Sequence, residues 1–80
     1  MIRQVHIVSI RVDVPPGDMW DIIYEAINDG DVCGFSCDIA TFSWTETIKI
    51  EEPFEKIEDA QAAEKKIKEW ASQYADIIED

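Results

Sequence analysis

At eighty residues the chain makes one domain, residues 1–80, that buries only about 60–65% of its unfolded surface, leaving a stability of about a few kcal/mol and no room for a deep cleft beside a core. Eighteen acids against seven Lys and Arg give a net charge of −11, which argues against direct binding to nucleic acid or an anionic membrane, because both need cations to displace counterions. Three Trp, three Phe and two Tyr supply a core, so the chain is expected to fold.

Residues 2–14 alternate. Val8, Ile10, Val12 and Val14 share one parity and Arg11 and Asp13 the other, as in a strand with one face on a core. Val5 and Ile7 are apolar on the second face, and His6 falls on the inward parity as a packed or capping residue. Pro15-Pro16-Gly17 ends the strand. Asp18 then reads as the N-cap of a helix running to about Asn28, with Trp20, Ile23, Tyr24 and Ile27 as its main stripe and Met19, Ile22 and Ala26 broadening it to more than half the circumference. Gly30 is expected to close that helix in the left-handed conformation.

Two strands are expected at 33–42 and 44–52, from the alternation of Phe35, Cys37 and Ile39 and then of Ile48 and Ile50. The turn between them carries no Gly, Pro or Asn. Pro53 ends the second strand. From Ile57 to Ile78, Ala60, Ala63, Ile67, Trp70, Ala71, Tyr74, Ile77 and Ile78 recur at spacings of three and four, which predicts one long helix with a single buried stripe. The fold class is therefore α+β, a two-layer sandwich in the order β-α-β-β-α. A three-stranded antiparallel sheet, ordered 1-3-2, carries both helices on one face, and its other face is open.

No run approaches the roughly 18 apolar residues of a membrane span, and the N-terminus lacks a basic region followed by an apolar core, so a cytoplasmic location is expected. Cys33 and Cys37, about 13 Å apart if on one strand, read as free buried thiols. With one His, no nucleophile-elbow serine and no Gly-rich loop ahead of a helix, the residues offer no acyl-transfer or phosphate-binding set. Cys33, Cys37, His6 and Asp38 lack the paired motif of a metal site. Neither enzyme activity nor a cofactor is expected.

The charge is unevenly spread. Residues 1–17 carry Arg3 and Arg11 against Asp13, whereas residues 18–38 carry Asp18, Asp21, Glu25, Asp29, Asp31 and Asp38 with no Lys or Arg. On a helix, Asp18, Asp21, Glu25 and Asp29, spaced by three, four and four, form one row, each like-charged pair costing a few tenths of a kcal/mol. Asp29 and Asp31 sit at the unfavourable end of the helix dipole, as do Asp76, Glu79 and Asp80 at the end of the second helix. Asp18, Asp21, Glu25, Asp29, Asp31, Asp76 and Glu79 are thus the candidate contacts for a basic, Arg- and Lys-rich protein partner, the row imitating the phosphates of a duplex. Trp20 and Tyr24 border the row and read as core or as anchors.

A short, acidic, cysteine-poor α+β domain bearing the row Asp18, Asp21, Glu25 and Asp29 resembles the small inhibitor proteins of phages and mobile elements, including anti-CRISPR proteins and other DNA mimics. The likeness covers general character and no motif. It implies a non-enzymatic inhibitor that works in a bacterial host cell, binding a nucleic-acid-handling defence complex and blocking its DNA site. Two alternatives fit the same residues: an acidic antitoxin or immunity protein covering a basic toxin, and a homodimeric module associating through the open sheet face around Val5 and Ile7, with Phe42.

Overall fold

The computed structural model describes residues 4–30, 32–42 and 45–79. Its elements are β1 (Ser9–Asp13), α1 (Asp18–Asn28), β2 (Cys37–Phe42), β3 (Thr45–Ile50), α2 (Ile57–Ala71) and β4 (Asp76–Ile78). The sheet is ordered β2-β3-β1-β4 and every neighbouring pair is antiparallel. The expected order of the first three strands stands. A fourth strand makes the chain β-α-β-β-α-β, the ferredoxin-like interleaving of two split β-α-β units.

That strand replaces the last turns expected of the second helix. The helix stops at Ala71, where the Ser72 N–H donates to Lys68 O and the Ser72 hydroxyl to Glu69 O, both at 2.9 Å. Tyr74 and Ala75 then fold their N–H groups back onto Ala71 O at 3.0 and 2.9 Å. The spacing of Trp70, Tyr74, Ile77 and Ile78 fits a helix, but two β-branched isoleucines beside an unfilled edge of β1 gain a ladder there, with Ile77 opposite Val12 and Ile78 opposite Arg11.

The inner face of the sheet is a set of cross-strand rows. Ile39, Ile48 and Ile10 form one, and Thr41, Glu46, Val12 and Ile77 the next. Both helices pack on this face, α1 over β2 and α2 over β1 and β4, and Ile23, Ile27, Ala60, Ala63, Ile67 and Ala71 share a single buried cluster with the strands. Alanine at three of the four buried positions of α2 brings that helix close to the sheet. As the alternation predicts, Val8, Ile10 and Val12 are buried and Val5 and Ile7 exposed.

Three local expectations are corrected. Gly17, at φ 107°, takes the N-cap position, and Asp18 is the first helical residue with no side-chain cap. Only Ile23 and Ile27 of α1 are buried, while Met19, Trp20 and Ile22 stand 40–42% exposed. Gly30 closes the helix at φ 84°, as expected.

The third correction concerns the start of β2. Val32 and Phe35 exchange both backbone hydrogen bonds across Cys33 and Gly34, which have φ of 53° and 84°. This is the mirror-image two-residue turn of tight hairpins, so β2 begins only at Cys37. Cys33 is exposed at the turn and Cys37 buried, so the two are not equivalent buried thiols. Burial, with smaller effects of Cys33 and Glu51, pushes the Cys37 thiol up to about 11. The turn between β2 and β3, at residues 43–44, lies outside the described residues.

Two measurements follow. Ile67 is 1% exposed, and Ile67→Ala is expected to lower stability by about 2–5 kcal/mol, most of what so small a domain has, in urea unfolding. One thiol per native chain, Cys33, is expected to react quickly with a disulfide reagent. Cys33→Ser removes that fast phase, and denaturant exposes Cys37.

Candidate functional site

At 100° per residue, Asp18, Asp21, Glu25 and Asp29 fall within an arc of about 80° and span about 16 Å along the axis. The arc lies opposite Ile23 and Ile27, so the core contact of α1 turns the row to solvent. All four carboxylates are exposed, and none forms an ion pair among the described residues. By contrast Lys68 of α2 is 3.7 Å from both Glu64 and Glu79.

The remaining candidate acids do not join this row. Asp76 is on β4, opposite Asp13, and by the alternation of strand side chains it lies on the outer sheet face, away from both helices. Two carboxylates facing each other there disfavour the β1–β4 pairing. Glu79 lies 3.7 Å from Lys68, which it shares with Glu64. The helix-end crowding expected of these residues does not arise, because α2 ends before them. Asp31 and Arg3 lie outside the described residues.

Sequence reasoning missed the group that holds α1 in place. Glu46 lies on the inner parity of β3, 6% exposed. Its Oε2 accepts from the Tyr24 hydroxyl of α1 at 2.8 Å and from the Thr41 hydroxyl of β2, and the Tyr24 and Thr41 oxygens are 2.9 Å apart. A carboxylate beneath a helix is costly without such donors. Its signal in the sequence is a Glu on the same parity as Ile48 and Ile50. Trp20 packs edge-on against Tyr24, centroids 4.7 Å apart, and is 42% exposed, outside the buried core, although it shares the helical face of Ile23 and Ile27. Ile22, also exposed, flanks the row, and Met19, exposed as well, lies further round the helix.

No three His, Cys, Asp or Glu side chains among the described residues gather to hold a metal ion, and no helix among them is long and apolar enough to cross a membrane. The open sheet face carries Asp38, Ala40, Phe42, Thr47, Lys49, Ser9, Arg11 and Ile78, so Phe42 and Ile7 stand at separate places on a mixed surface. Comparison with protein-family models, curated proteins and solved structures finds no match.

Tyr24→Phe leaves Glu46 with one hydroxyl donor and is expected to cost about 1–3 kcal/mol in chemical unfolding. Burial raises the Tyr24 phenol above 10.0, against a smaller lowering by the Thr41 hydrogen bond, and Glu46 adds to the rise. The folded chain thus favours the protonated phenol. This contribution is fully present below the unfolded value of about 10 and is lost as pH climbs through the raised folded value. The Phe variant is expected to lose less stability over that alkaline range.

Proposed function

We propose that this protein is a non-enzymatic inhibitor that lays the α1 row on a basic, nucleic-acid-binding surface of a bacterial defence complex of the CRISPR-Cas kind, taking the place of DNA. The observation that carries this reading is the row itself, which forms no ion pair among the described residues. Three carboxylates of α1 and that of its C-cap residue share one helical arc over about 16 Å, on an element without a single Lys or Arg. A helix shaped by folding alone has opposite charges four apart, as Glu64 and Lys68 are on α2.

Ile22 adjoins the row and is exposed, as are Met19 further round the helix and Trp20 on the far face, and aromatic and Met side chains are the usual anchors of a protein interface. The contact set is Asp18, Asp21, Glu25 and Asp29 with Ile22, and Asp31 follows it in the chain. Asp76 and Glu79 belong to other surfaces.

The test is capture of the partner from a bacterial lysate on the immobilised protein, then release by duplex DNA. Asp21→Lys with Glu25→Lys is expected to weaken capture by about 100-fold or more, with melting unchanged or slightly raised. Capture of the same partner at undiminished affinity by that double variant contradicts the proposal.

A further inference from the structure

The extended stretch just ahead of β1, residues 4–8, has an edge that no strand among the described residues covers. His6 exchanges both backbone hydrogen bonds with Phe54, at 2.7 and 2.8 Å, and Val8 O accepts from the Ile50 N–H at 2.9 Å. The backbone groups of His6 and Val8 therefore point toward the β3 side, and by the alternation of an antiparallel ladder those of Val5 and Ile7 point the opposite way. On that side β4 covers only Arg11 to Asp13, and no strand among the described residues reaches Val5 or Ile7.

The uncovered edge opens onto two adjoining hollows between β1 and α2, of about 470 and 270 Å³, which share Ser9 and Glu64. Val5, Ile7 and Ile57, 49%, 59% and 51% exposed, stand along it. Unpaired ladder groups beside exposed aliphatic side chains call for an extended backbone.

Charge selects which one. In a chain of −11, residues 1–17 carry two bases against one acid, and the acids lining these hollows, Glu64 and Glu79, both lie 3.7 Å from Lys68. A second copy meets less repulsion here than against the acidic remainder of the surface. The residues are also self-complementary. A two-fold axis through His6 sets Val5 across from the partner's Ile7 and Ile7 across from the partner's Val5. Both are the outward-pointing positions, so each pair exchanges two N–H···O=C bonds and matches aliphatic to aliphatic.

We propose that residues 4–8 form a homodimer interface, each copy adding the edge of the extended stretch ahead of β1 antiparallel to the other's across His6. The interface is separate from the acidic row and responds to salt in the opposite sense, since screening the net charge favours two like copies and weakens an acid-to-base contact.

Sedimentation equilibrium tests it, from about 10 µM to about 1 mM protein in about 0.5 M salt, where the repulsion is screened. The expected result is a dimer that weakens as salt is lowered. Ile7→Lys, with its folding checked by circular dichroism, is expected to weaken it by about tenfold or more, and Phe42→Lys, at a still more exposed site elsewhere, to leave it unchanged. The axis is read by His6→Cys in a Cys33→Ser background. Facing non-hydrogen-bonded residues lie about 4.5 Å apart at Cα, within disulfide reach, so oxidised glutathione is expected to give a covalent dimer. Monomer mass at every concentration overturns the proposal and leaves the edge to an extended segment of another protein. A dimer indifferent to Ile7→Lys, or one in which His6→Cys does not cross-link, overturns it equally.

Discussion

The direction in which α1 faces depends on Glu46. With only Ile23 and Ile27 fully buried, the helix has a narrow apolar footing, and a narrow footing leaves rotation about its axis loosely determined. The Tyr24 hydroxyl removes that freedom by reaching a fixed carboxylate on β3 that Thr41 of β2 also holds. Hydrogen bonds to a charged, buried acceptor are among the stronger ones a small domain makes. One turn of α1 is thereby tied to two strands, and the carboxylates on the face away from Ile23 and Ile27 are held outward as a set. Presenting the row and burying Glu46 are two ends of one arrangement.

Much of this was legible in the residues. The alternation of Val8, Ile10 and Val12 against Val5 and Ile7 gave the correct faces of β1, and the row Asp18, Asp21, Glu25 and Asp29 followed from helical spacing alone. What was not legible depended on distant partners. Residues 76–78 fit a continued helix as well as a strand, and only the vacant edge of β1 decides between them, a tertiary preference that local periodicity cannot express. Asp76 and Glu79 were consequently placed with the wrong surroundings. The turn at Cys33 and Gly34 was available as an X-Gly hairpin signal but was hidden by the alternation of Phe35, Cys37 and Ile39. Glu46 was overlooked because a single acid in a strand pattern reads as a solvent-side residue until its hydroxyl partners, 22 and 5 residues away along the chain, are seen beside it.

The two helices divide the electrostatics between them. α2 offsets Glu64 with Lys68 and lends the same lysine to Glu79, while α1 offsets nothing. Repulsion along α1 amounts to about 1 kcal/mol, summed over one i,i+3 and two i,i+4 pairs. At Asp18 and Asp21 the helix dipole returns part of this, whereas at Asp29, the C-cap residue, it adds to it. Against a total of about a few kcal/mol that is a sizeable share, and it is concentrated at Glu25 and Asp29, where the dipole gives no relief. The proposed role for the row rests on this imbalance being a real loss to the isolated chain.

That loss is directly measurable without any partner. Urea unfolding of the protein and of a Glu25→Gln, Asp29→Asn variant at about 10 mM and about 0.5 M salt compares the same fold with and without the uncompensated pair of charges. The neutral variant is expected to be more stable by about 0.5–1 kcal/mol at low salt, with the difference closing at high salt. A neutral variant that is equally or less stable at low salt would show that these carboxylates serve the fold itself, and the account of a row held ready for a cationic surface would fail.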